Sequence, residues 1–111
     1  MINYQAEIEL ENARTARIAG KEGLARVCAR RAAGFEIRAY LMRIGVSTEG
    51  LSANDLLKNQ TIRLHLPGNI YPQLERLVTR VDSNYQLAPE IDLIEDAKVI
   101  INVLKILEEK K

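Results

Sequence analysis

Apolar residues recur at helical spacing in four separate segments, and this periodicity limits what the chain can fold into more than any other feature. The clearest stripe lies near the C-terminus and consists of Leu93, Ala97, Ile100, Leu104 and Leu107. Intervals of four and three residues place such side chains on one face of an α-helix. Glycine and proline are sparse between and within the segments. We therefore expect an all-α protein, an antiparallel four-helix bundle with one additional short helical turn.

Helix start and stop signals predict where the segments begin and end. We expect helices from Tyr4 to Arg17, from Leu24 to Ile44 before the C-cap residue Gly45, from Asn69 or Tyr71 to residues 82–84, and from a residue after Pro89 onwards. Pro72 fits the first turn of the third helix, and Asp92 has the position of an N-cap for the fourth. Ser52 should cap the short turn "SANDLLK".

The sequence pattern of residues 61–67 and that of the second helix each predict a further structural detail. The stretch "TIRLHLP" (residues 61–67) alternates like a strand but has no pairing partner, so we expect an extended connector.

In the second helix, a wheel of 100° per residue collects Leu24, Cys28, Phe35, Ala39 and Met42 on one face, which Ala25 and Ala32 extend. We expect this face to be the buried one, with Ile37 on the far side of the helix.

The composition indicates one globular domain over residues 1–111. Apolar residues make up 47% and charged residues 28% of 111 positions, enough for a core without metal or disulfides. The single cysteine, Cys28, excludes an intrachain disulfide, and we expect it to be buried and unreactive. The first ten residues are polar and acidic, and no apolar run approaches membrane-spanning length. We expect a cytoplasmic protein that does not contact the membrane.

Residues that could carry out catalysis are scarce. The only histidine, His65, has no nearby cysteine and no spaced pair of acids to complete a metal or base site. Gly20 and Gly23 lack the spacing of a phosphate-binding loop. We therefore expect no catalytic residues, no metal site and no cofactor, and the sequence favours a protein that is not an enzyme over one that is.

The charge is unevenly distributed along the chain. Residues 12–43 contain eight basic and two acidic residues, a net charge of +6, although the whole chain carries only +1. Arg31 and Arg38 lie at the edge of the predicted apolar face of the second helix. Three interpretations are open: the arginines cover the core edge and pair with acids of the first and fourth helices, they bind an anion such as a nucleotide or RNA backbone, or they contact another subunit.

The second helix and its surroundings resemble the HEPN family (higher eukaryotes and prokaryotes nucleotide-binding). The family pattern "aqQAaEKalKalL" followed by "HdLxxLl" is similar to "CARRAAGFEIRAYLMRIG" followed by "SANDLLKN", and its last helix is similar to "IEDAKVIINVLKIL". Arg38 stands at the position of the family's second lysine, and Asp55 with Leu56 matches "dL". The resemblance covers residues 5–108 and consists mostly of helix-packing positions.

The chain departs from the family pattern at several positions. Gly34 and Phe35 replace the usual Glu-Lys, and Asn54 stands where the family often has histidine. HEPN ribonucleases carry an Arg-x4-6-His motif, whereas no arginine precedes His65 at that spacing. The resemblance thus implies a non-catalytic member, a helical dimer that binds nucleotides or works beside a nucleotidyltransferase in a toxin–antitoxin pair. The alternative is an enzyme for RNA or nucleotides that uses Arg31, Arg38 and Arg80 with a non-standard base.

The fourth helix has a second apolar stripe, formed by Val99, Val103 and Ile106, about 100–140° from the first on the helical wheel. A surface helix normally needs only one such stripe. The second therefore contacts either another helix of the same chain or another subunit, and these residues are our candidates for a homodimer interface.

Overall fold

The computed structural model describes residues 4–79 and 91–109, and within these ranges the chain is helical and contains no strand. Its α-helices are α1 (Tyr4–Ile18), α2 (Glu22–Arg43), α3 (Ala53–Lys58), α4 (Gln60–Arg63), α5 (Tyr71–Val78) and α6 (Leu93–Glu109), with a 3-10 turn at Gly68–Ile70. The expected all-α class is confirmed. Among these helices, none combines the length and the apolar character needed to cross a bilayer.

The capping residues act where the sequence predicts. The Ser52 hydroxyl accepts a hydrogen bond from the Asp55 N–H (3.1 Å), and the Asp55 carboxylate accepts one from the Ser52 N–H (2.9 Å). The Asp92 carboxylate accepts hydrogen bonds from the N–H groups of Ile94 and Glu95 at the start of α6. Both side chains satisfy N–H groups that the first turn of a helix leaves without partners.

The extended connector predicted at residues 61–67 is wrong, because α4 occupies its first part. The Asn59 side chain accepts a hydrogen bond from the Ile62 N–H (3.0 Å) and caps this short helix. Ile62 and Leu66, four residues apart, are both buried. Helical spacing and a polar N-cap were therefore both present in a stretch whose alternation resembles a strand.

Helix α5 ends earlier than predicted. Its last residue is Val78, and Thr79 already has an extended backbone (ψ 131°). Pro72 lies in the first turn, as expected. The predicted end at residues 82–84 lies outside the described residues.

Helix α2 lies at the centre of the molecule and packs against α1, α3 and α6. Arg17 near the end of α1 pairs with Glu22 at the start of α2, and Glu9 pairs with Arg31 further along α2, so the two helices of this hairpin run antiparallel. Helix α6 also runs antiparallel to α1, since Lys105 pairs with Glu7 and Asp92 pairs with Arg17. The first stripe of α6 is in the core as predicted, with Leu107 at its margin.

The predicted buried face of α2 is wrong in orientation. Leu24 and Met42 are exposed, Phe35 and Ala39 are half-buried, and of the five residues only Cys28 is buried. Ala25 and Ala32, predicted to extend that face, are buried as expected. The rest of the buried side consists mainly of small residues with two large apolar ones: Ala29, Ala33, Gly34, Ile37 and Leu41. The prediction took the side with the bulkiest apolar side chains as the buried face of α2. A helix with three neighbours packs closely through its smallest side chains instead.

Gly34 shows how close this packing is. A Cβ atom at this position would lie 2.5 Å from the Cβ, 2.6 Å from the carbonyl oxygen and 2.8 Å from the Cα of Ala53. Two of these three atoms belong to the backbone, so a change of rotamer cannot relieve the overlap. The first residue of α3 therefore rests directly on the backbone of α2.

We expect the substitution Gly34→Ala to lower the free energy of unfolding by about 1–3 kcal/mol, because α3 must move away from α2. Gly23→Ala is the matched control. Gly23 is in the first turn of α2 with open space around it, and alanine favours the helix there by up to ~1 kcal/mol. Urea unfolding followed by circular dichroism measures both changes. A Gly34→Ala protein as stable as the original would contradict the close contact.

Candidate functional site

Arg17 joins three helices at one end of the molecule. Its guanidinium donates two hydrogen bonds to the Glu22 carboxylate (2.9 and 2.8 Å) and one to the Asp92 carboxylate (2.9 Å). Arg17 is near the end of α1, Glu22 begins α2, and Asp92 caps α6. One planar cation thus fixes the relative positions of three helix ends.

These contacts change the acidity of the groups involved. The hydrogen bond from Arg17 lowers the pKa of Glu22 despite partial burial. Burial alone would raise the pKa of Asp92, but the Arg17 hydrogen bond and the N–H groups of Glu95 and Ile94 outweigh it and lower the pKa. The hydrogen bond to Glu22 and the nearby Asp92 in turn raise the pKa of Arg17.

Arg76, Arg63 and Arg30 also bind groups on other parts of the chain. Arg76 binds the buried Asp96 carboxylate through two nitrogens, with the shortest distance 2.8 Å. Arg63, itself buried, pairs with Glu75 and donates to the Leu57 carbonyl. Arg30 donates to the Leu77 carbonyl in the last turn of α5 (2.7 Å), and burial lowers the pKa of this guanidinium. Much of the basic charge is therefore committed to holding helices together.

The predicted anion-site arginines have different surroundings. Arg31 remains 55% exposed, with its Nε 3.3 Å from a carboxylate oxygen of Glu9, so it pairs with an acid of the first helix as one interpretation requires. Arg38 is half-buried and donates to the Leu51 carbonyl instead of to an acid. Arg80 lies outside the described residues. The structure thus places Arg31 and Arg38 two helical turns apart on α2, each with a contact inside the chain.

Three exposed large apolar side chains, Leu24, Val27 and Met42, lie along one side of α2, which we call the α2 outward face. It consists of Leu24, Val27, Arg31, Phe35 and Met42. Leu24 is 49% and Met42 67% exposed, although both are large apolar residues. Apart from Val27, this face comes from the stripe and edge predicted for the core. A partner that packed along this side of α2 would remove Leu24, Val27 and Met42 from water, which is favourable for apolar side chains.

The candidate interface on α6 is less exposed than this face. Val103 is half-buried and packs against the core, and Val99 is half-buried as well. Ile106 is 49% exposed. Of the three residues, Ile106 therefore offers the most surface to another molecule.

Cys28 is buried, as predicted. Burial raises the pKa of its thiol, and Glu9 adds to this effect while Arg31 opposes it. His65 is exposed in the turn that follows α4. Over residues 4–79 and 91–109, no three side chains of histidine, cysteine, aspartate or glutamate come together as a metal site would need.

Sequence reasoning missed the individual partners of the arginines and the exposure of the α2 outward face. Glu9 was one of several acids near the start of α1, and nothing local singles it out as the partner of Arg31. The α2 outward face did have a signal. Alanines cluster on the opposite side of the helix, and a side rich in alanine allows the closest helix packing.

The chain matches no protein-family model, and neither a curated protein nor a solved structure is significantly similar to it. The HEPN resemblance therefore stays a prediction from the sequence.

We expect Arg17→Met, which keeps the apolar stem, to lower the free energy of unfolding by about 1 kcal/mol at neutral pH. Glu22 and Asp92 have lowered pKa values in the folded state. Their contribution is present above the unfolded values near pH 4 and disappears as the pH falls through the folded ones. The difference between Arg17→Met and the unchanged protein should therefore shrink below about pH 4.

Arg14→Met is the matched control for this pH series. Arg14 pairs with Glu11 within α1, and the Glu11 side chain is 69% exposed, so we expect little change at any pH. Urea unfolding at a series of pH values measures both variants. An Arg17→Met deficit that is the same at acidic and neutral pH would show that the charge contacts do not stabilise the fold.

Proposed function

We propose that this chain is a non-catalytic, HEPN-like four-helix bundle that works as a protein-interaction module and forms a homodimer. The observation that carries the proposal is the α2 outward face. Large apolar residues, above all Leu24 and Met42, are exposed there, while alanines of the same helix fill the core. Covering such a surface with another chain removes apolar area from water and stabilises the complex.

The non-catalytic part of the proposal rests on the chemistry of the chain. Its one histidine is exposed after α4, and it lacks the Arg-x4-6-His spacing of the ribonucleases that the sequence resembles. The buried thiol of Cys28 has a raised pKa, which disfavours the nucleophilic thiolate. A nucleotidyltransferase partner follows from the resemblance alone and stays a prediction.

Light scattering coupled to size exclusion tests self-association directly. The monomer mass is 12.5 kDa, and we expect the native protein to elute at twice this mass. Dilution should shift it towards the monomer, because mass action governs a reversible dimer. A protein that stays at the monomer mass at every concentration would contradict the homodimer.

Nucleotide or RNA binding is a second candidate, and the exposure of Arg31 favours it. Only part of this guanidinium is engaged by Glu9, so its remaining donors can reach an anion. If Arg31 and Arg38 form the site, ATP or single-stranded RNA should bind more weakly as salt rises, and the double variant Arg31→Ala/Arg38→Ala should lose binding.

Arg14→Ala serves as the control for the loss of surface positive charge on the same hairpin, and it should leave binding unchanged. Fluorescence anisotropy with labelled ATP or RNA provides the measurement. Binding that survives the double substitution would locate the site elsewhere. The absence of binding at any salt concentration would leave the arginines in the structural role that their contacts already describe.

A further inference from the structure

We draw no further inference here: the strongest candidate, the α2 outward face with its exposed Leu24, Val27 and Met42, is an unpartnered apolar surface that belongs to the site already described, and nothing in the structure shows what covers it.

Discussion

Close approach to the alanine side of α2 is the constraint on which the rest of the structure depends. Ala25, Ala29, Ala32 and Ala33 are buried, and their small side chains let α1, α3 and α6 contact one central helix. Dispersion contacts in such a core are individually weak, so their number and therefore the packing distance decide the stability. Because the small residues occupy the inside, the larger apolar residues of the same helix remain on the outside.

The arginines hold together the helices that the alanines allow to pack closely. An alanine side chain is short and apolar and cannot hydrogen-bond a group on a neighbouring helix. A guanidinium binds carboxylates and carbonyls of neighbouring helices in a fixed planar geometry. Arg17 and Arg76 link helix ends in this way, and Arg30 joins the middle of α2 to the last turn of α5. The positive charge of residues 12–43 is thus balanced largely by contacts inside the fold, and the part of that charge open to another molecule is smaller than the composition suggests.

What could be predicted from the sequence depended on how local the signal was. The helix class, the caps at Ser52 and Asp92, and the inward stripe of α6 follow from residues a few positions apart, and the structure agrees with them. The orientation of α2 depends on how many helices surround it, which no local pattern contains. The same applies to the candidate site: Arg31 and Arg38 were identified from sequence, but Glu9 and the Leu51 carbonyl become their neighbours only through folding.

The contact between Gly34 and Ala53 also affects Arg38, a residue that takes no part in it. Since α3 begins against the backbone of α2, the chain just before it is held at a fixed height above that helix, and there the Leu51 carbonyl accepts a hydrogen bond from Arg38. Any phosphate or carboxylate that approached Arg38 would compete with an acceptor that the protein supplies from its own chain. The Leu51 carbonyl is thus an internal competitor. An outside anion would gain only the difference between the free energy of its own contact with Arg38 and that of the hydrogen bond to Leu51.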